Sequence, residues 1–573
     1  MIHNSNQYNK KILIAMLLAS ALLRLWNLGS GDTLSDEVLY SFRAIGMLDF
    51  DEAADQTTPL EWFDPHIPAW TVYSFHDHPP LAFAVQHVFM RIFGETTFAF
   101  RLPSALLGIA SVYLLYLIGS LLYNERVGLL AAGIFGLTVQ HIAISRLGLQ
   151  EAYVLFFLLL ATYFFLKAET EKKYYIWLGI AGGLGLLTKY TTGIFIPIFI
   201  TYALFYRQKD VFSRHVWIGA FLILLICSPV LYYNFKLYQT VGHFDFQLSF
   251  IFGQNPDIWG IQPGKEEFPT FTSRLTAFLP NLIKFNSWMF VLLFGINIIA
   301  LIFSIAKRGR ETLRDHALLL IIFLWLAAFI IGVIGPSMRF LSMLTPFMTL
   351  GISYTFVQFS VNFRKPSFRK FPKYITCILI VFETLYSLNS QLLAYPMGQE
   401  LWAWSGVRDE NYNWGYQELD TWIREQTDNR MPALAFEPKY HFIGEIHKKA
   451  LAQAERDGKK PLATLFVYDK NIHSIPQLWI LDRLQIYHAW PIITADTYVQ
   501  FLKEKGQDYF AKSGFTEVYY IFPTENVPWK KQQYLTNIGA KLEHALTESG
   551  HKPYRILRNK RNDETFRIYR SSS

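Results

Sequence analysis

Eleven apolar runs, each near the length that crosses a bilayer, divide this chain and leave few folds open to it. A hydrocarbon core takes about 20 apolar residues per helix, and backbone groups inside it must pair within the segment. The runs fall at 11–29, 98–122, 127–145, 149–167, 174–188, 191–206, 215–234, 281–305, 317–335, 340–360 and 374–394. Lys189 interrupts the 174–206 region, which reads either as two short spans meeting outside or as one long run with a re-entrant kink. Only 17% of the residues are charged and 52% are hydrophobic, whereas a soluble domain carries about 25% charged residues. The pattern specifies a polytopic α-helical membrane protein with soluble mass attached.

The loops orient the spans. With the N-terminus inside, the cytoplasmic segments hold Lys10, Lys11, Arg126, Lys167, Lys172, Lys173, Arg207, Lys209, Arg214, Lys307, Arg308, Arg310 and Arg314. The last of them, "NFRKPSFRKFPK", adds Arg364, Lys365, Arg369, Lys370 and Lys373. The three short outer turns hold one basic residue each: Arg146, Lys189 and Arg339. This asymmetry sets the orientation. It also accounts for the formal net charge of +8 without a nucleic-acid partner. The first run contains small residues in "LLASALL", as a signal peptide would. Arg24 breaks its far end and no cleavage site follows, so it reads as a retained anchor. Compact loops and the lack of a retention signal point to a bacterial plasma (inner) membrane. Cys227 and Cys377 both sit in apolar runs and read as packing residues rather than a disulfide.

Two long segments, 30–97 and 235–280, then face outside, and the last span delivers 395–573 to the same side. This gives a transmembrane domain over 1–394 and a soluble extracytoplasmic α/β domain over 395–573. In the latter, short strands such as "ATLFVYD", "EVYYIF" and "TFRIYR" alternate with helical stretches such as "YVQFLKEKG". It shows no internal repeat, glycine-rich phosphate loop, CxxC pair or HExxH, and its role is not legible.

Against this apolar background the polar residues of the outer side stand out. "LSDEVLY" places Asp36 and Glu37 after the first run, and "FHDHPPL" places His76, Asp77 and His78 before a diproline. Arg146 in "SRLGLQE", Lys189 in "LTKYTTG" and Arg339 in "GPSMRFL" fall at the same level. A cation at membrane depth needs an anion or a polar cavity. Carboxylates would serve, and so would the phosphate of a lipid carrier, onto which arginine forks. Each group also has a purely structural reading. Cations snorkel to headgroups, acids suit a helix N-terminus, and "HPPL" is a turn. Residues 36–48 do read as an amphipathic helix.

Taken in order, "RLWNLGSGDTLSDEVLYSFRAIG", "HDHPPLAFAVQHVFMRIFGETTFAFRLPSALLG", "SRLGLQEAYVLFF", "LTKYTTGIFIPI" and "RFLSMLTPF" resemble the GT-C membrane glycosyltransferases of the protein O-mannosyltransferase and aminoarabinose-transferase type. The resemblance runs over roughly 11–360 and stops short of the C-terminal domain. It implies transfer of a sugar from a polyprenyl-phosphate donor to a lipid, glycan or protein acceptor on the non-cytoplasmic side. By position it implies that Asp36 is the catalytic base, with Glu37 beside it. It further implies that Asp77 and His78 contact carrier phosphate or a metal, and that Arg146, Lys189 and Arg339 face that phosphate. The chain departs from the pattern at His78, where some relatives have Lys, and at Glu151, where many have Asp.

The implied reaction is an inverting single displacement. Asp36 withdraws the acceptor proton, a role worth about 10²–10⁴ in rate, and each cation at the leaving phosphate adds on the order of 10²–10³. Neighbours on a helix do not share a face, so Glu37 is expected to orient a neighbour or assist a metal. Asp77 with His76, His78 or His243 could ligate a divalent ion, although the spacing is not diagnostic. No cofactor beyond the lipid-linked donor is specified. A transporter or lipid flippase is the rival reading, since buried charges mark transport routes too.

Overall fold

The computed structural model describes residues 2–50, 58–254, 267–362, 371–529 and 535–572. The cationic run Arg364, Lys365, Arg369 and Lys370 lies outside them. The chain forms two compact units. One comprises 1–29 with 69–409, the other 30–68 with 410–573. The sequence boundary at 394/395 divides the chain by expected side of the membrane; the compact units divide it differently, because 30–68 folds with the C-terminal region.

The first unit is helical. Among the described residues five helices are long and apolar enough to cross a membrane: Thr97–Leu122, Arg214–Val241, Trp288–Arg308, Ala317–Ile334 and Met338–Ser360. A sixth arises if Glu125–Leu137 and Val139–Arg146 count as one span, bent by 61°. The bend falls at Thr138, whose hydroxyl donates to the Ile134 carbonyl at 2.9 Å while its own backbone leaves helical geometry. Such back-bonding bends helices. The interrupted 174–206 region resolves into a helix at Tyr174–Thr188, a 3₁₀ turn at Tyr190–Ile194 and a helix at Phe195–Tyr206. Glycines let neighbouring helices close up: a β-carbon on Gly179 would meet the Gly219 carbonyl oxygen at 2.3 Å. Small residues serve this purpose where no water drives helices together.

The second unit is α/β. Its main sheet has the order β4-β3-β5-β7-β6, made from β3 (Thr464–Tyr468), β4 (Ile492–Thr494), β5 (Glu517–Pro523), β6 (Arg555–Arg558) and β7 (Glu564–Ser572). Strands β3, β4 and β5 run parallel, and β7 adds antiparallel to β5 and β6. A separate parallel pair joins β1 (Arg430–Pro432) to β2 (Lys460–Leu462). Strand β3 is buried throughout, as a central parallel strand covered on both faces must be.

The 30–68 segment is built into this unit. The Asp32 carboxylate accepts the backbone N–H groups of Trp414 (2.6 Å), Gly415 (3.1 Å) and Gln417 (2.8 Å). These groups lead into the helix Tyr416–Thr427, whose first N–H groups lack partners of their own. Asp64 does the same for His441 and Phe442 at the start of the helix His441–Arg456. The Tyr487 hydroxyl donates to the Phe42 carbonyl at 2.8 Å, and the two rings lie 5.1 Å apart.

Candidate functional site

In the first unit, Glu151 and Arg339 are the predicted site residues that act with Lys189. The helix Tyr174–Thr188 ends there, and Lys189 itself is extended (φ −161°, ψ 136°). Its Nζ donates to Glu151 Oε1 at 2.7 Å, with side-chain exposures of only 6% and 3%, and lies 5.5 Å from the Phe340 ring centroid. Glu151 opens the helix Glu151–Lys167, where the N-terminal dipole suits an acid. Arg339, in the short helix Met338–Leu341, also acts electrostatically on this carboxylate. Lys189, Glu151 and Arg339 are therefore brought together.

At the start of the helix Glu151–Lys167 and in the turn after Lys189, polar atoms are buried without hydrogen-bond partners: Glu151 Oε2, both ends of the Gln150 amide, the Tyr153 hydroxyl and Thr192 Oγ1. Buried polar groups are ordinarily paired, so these atoms are open to a polar guest. Gln150 shows no signal in the sequence beyond its neighbour Glu151.

Asp77 and His78 form a second group. His78 Nδ1 lies 3.2 Å from Asp77 Oδ2, and its Nε2 is 3.3 Å from the Gln247 amide nitrogen. His76 and Asp77 bring ligand atoms within 4.8 Å of each other, and the His76 carbonyl accepts the Phe246 N–H at 2.7 Å. His243 directs Nδ1 at the Phe244 carbonyl, 2.7 Å away. Burial holds its imidazole below the ordinary value, only partly offset by that bond. The neutral ring keeps Nε2 as an acceptor, a state that suits a metal.

Between these groups stands an acid that sequence reasoning missed. Asp245 is fully buried and accepts from the Tyr190 hydroxyl (2.6 Å), Asn234 Nδ2 (2.8 Å) and the Leu248 N–H (2.9 Å). Burial raises its carboxyl despite those donors. It ties the 235–280 segment to the residue next to Lys189. A second missed pair is Arg24 and His141. The Arg24 guanidinium is fully buried, 2.8 Å from His141 Nδ1, and donates to the Ser20 and Gly136 carbonyls.

Arg146 is occupied differently from Lys189. Its Nη1 donates to the carbonyls of Leu23, Arg24 and Trp26 at 2.9–3.2 Å and its Nη2 to that of Asn27 at 3.4 Å. Those carbonyls end the first helix, Ile2–Leu25, so the cation caps it; its Nε is buried and unpaired. Asp36 and Glu37 belong to the second unit. Asp36 precedes the helix Glu37–Gly46 and is half-exposed, whereas Glu37 is fully buried.

The fold, a bundle of apolar helices with a C-terminal α/β unit, is similar to that of solved membrane glycosyltransferases. Residues 77–233 match the family described as dolichyl-phosphate-mannose-protein mannosyltransferase. The chain is 28% identical over 225 residues to "Putative mannosyltransferase YkcB" of Bacillus subtilis; the match takes in 37% of this chain and 29% of that protein, so it spans under a third of the relative. Among solved structures, ArnT from Cupriavidus metallidurans in the apo state superposes with a TM-score of 0.51 at 13% identity, covering 97% of both chains. The same protein has been solved bound to undecaprenyl phosphate (TM-score 0.50, 14% identity, 97% of both chains). The oligosaccharyltransferase of Archaeoglobus fulgidus gives 0.51 at 15% identity over 90% of this chain and 69% of its own.

Proposed function

We propose that this multi-pass membrane protein moves a sugar from a polyprenyl-phosphate donor to a lipid, glycan or protein acceptor on the outer face of the plasma (inner) membrane. In this reading the chain has eleven spans, a cytoplasmic N-terminus and an extracytoplasmic domain over 395–573. Transfer is inverting. Asp36 is the base, and Glu37, turned inward, orients it. The observation that carries the reading is the buried Lys189–Glu151 pair, with unpaired polar atoms at the start of the Glu151 helix and in the turn after Lys189. A lysine neutralised by its own glutamate at rest can be shared with an arriving phosphate, whose charge grows as the glycosidic bond breaks. Arg339 adds a second cation, and His78 a donor. Arg146 serves the same site from behind: it fixes the end of the first helix and keeps Nε for the phosphate.

The carrier also needs a seat for its chain. A cavity of about 640 Å³ opens among the apolar helices, lined by Phe278, Phe294, Leu301, Phe323, Met348 and Phe359 among others. It takes in neither Lys189 nor Glu151; its lining is mostly apolar, with Lys307, Arg308 and His316 among the rest, and in this reading it seats the isoprenoid tail. His76 and Asp77 would help hold a divalent ion if the donor brings one, and its charge would add to that of Lys189 at the phosphate.

Binding of polyprenyl phosphate to the detergent-solubilised protein tests the phosphate assignment. Lys189→Met and Arg339→Gln should each weaken binding about tenfold or more, the loss of one charge-assisted hydrogen bond. Unchanged binding in both variants would remove these cations from the donor site.

A further inference from the structure

The second unit has a cavity of its own, of about 320 Å³, near the lower end of the roughly 300–1,000 Å³ typical of small-molecule sites. Aromatic rings come from Phe50, Phe436, Trp490 and Tyr440, the last stacked on Phe442 and carrying Lys439 Nζ at 4.8 Å from its centroid, and polar groups from Glu437, Lys439, His447 and Gln485. The walls are fixed. Phe50 meets Tyr440 and Phe442 edge-on at 6.1 and 5.9 Å, and Trp490 meets Phe466 edge-on at 6.0 Å. Ala489 closes the helix Arg483–His488 at φ 60°, a left-handed conformation that a residue with a β-carbon rarely takes.

Three polar groups of the wall are left open, the first being the Tyr440 hydroxyl, which is buried without a hydrogen-bond partner. Trp490 is only 3% exposed, and its indole N–H makes no hydrogen bond among the described residues. His447 Nε2 lies 2.8 Å from the Gln485 carbonyl. A carbonyl only accepts, so Nε2 bears the proton and Nδ1 is left as an acceptor. Burial holds this imidazole below its ordinary value, only partly offset by the Gln485 and Ile486 carbonyls, which keeps it neutral.

We propose that this cavity is a saccharide-binding subsite that takes a neutral pyranose ring. A pyranose has a C–H face and a rim of hydroxyls that both donate and accept. The negative faces of aromatic rings receive the C–H groups. The indole N–H and Lys439 donate to hydroxyl oxygens, while His447 Nδ1 and the Glu437 carboxylate accept from them. Glu437 and Lys439 cancel in charge, so the cavity favours an uncharged ring over a phosphate. The subsite does not depend on the transfer reading and stands or falls apart from it.

The test is ligand-observed saturation-transfer NMR on the full-length protein in detergent, with methyl pyranosides of glucose, galactose, mannose and N-acetylglucosamine at millimolar concentration and inorganic phosphate as a control. At least one pyranoside should bind through its C–H face. Trp490→Phe, which keeps the ring and removes the N–H, should weaken that binding about tenfold. Glu437→Ala, at an exposed position, should do likewise with an unchanged melting temperature. The proposal is overturned if no pyranoside binds the wild type, if both variants bind as well as wild type, or if phosphate binds in place of sugars.

Discussion

Lys189 and Glu151 each bury a charge that neither could hold alone. Removing one partner of a buried pair costs about 3–5 kcal/mol, because the other is left uncompensated, while replacing both is often neutral. Lys189→Met should therefore lower the melting temperature, and Lys189→Met with Glu151→Gln should recover it without recovering polyprenyl-phosphate binding. Recovery of both would make the pair purely structural. Lys189 was legible because a lone cation interrupts an apolar run. Arg146 drew attention for the same reason, but its carbonyl contacts leave no trace in sequence, since every residue offers a carbonyl. Asp245 and Asp32 were missed because a structural acid and a catalytic one are the same letter. Only burial and donors separate them, as burial separates half-exposed Asp36 from its buried neighbour Glu37.

At the scale of elements, hydropathy located apolar segments but not how they bend or touch. The run read as one span over 127–145 is turned through 61° at Thr138, because a hydroxyl replaces part of the helical ladder. The break at Lys189 was visible, since a charge and a short length on either side both register in the sequence. The approach of Tyr174–Thr188 to Arg214–Val241 was not, because one glycine in an apolar run looks like any other. Gly219→Leu tests it. A β-carbon at Gly219 would meet the Tyr175 carbonyl oxygen at 2.3 Å, so the helices must separate. The variant should melt lower by an amount typical of overpacking, about 1–3 kcal/mol, while Gly295→Leu, where nothing lies within 4 Å, should melt like wild type. Equal melting of the two variants would contradict the close approach.

For the whole molecule, the membrane-protein class, the C-terminal α/β character and the family resemblance were all legible, because composition and motif order survive without coordinates. The discontinuous second unit was not, since a boundary drawn from composition must be contiguous. Asp32 reports on that unit. Burial outweighs its three N–H donors and pushes the carboxyl up to about 7. A carboxyl raised in the folded state contributes stability that is present below its unfolded value and lost as pH rises through the folded one. Protection of the Trp414, Gly415 and Gln417 amides from hydrogen exchange, corrected for intrinsic rate, should therefore fall between about pH 4 and about pH 8. Asp32→Asn should flatten that decline; an unchanged slope would remove Asp32 as its source. The central claim, transfer from a lipid-linked sugar with Asp36 as base, is tested most directly by turnover. Purified protein would be given a panel of radiolabelled polyprenyl-phosphate sugars, and release of polyprenyl phosphate followed on addition of a membrane lipid extract. The account predicts acceptor-dependent release with one donor and a fall of about 10² or more in Asp36→Asn, with melting unchanged. Release that is the same in Asp36→Asn as in the wild type would contradict it.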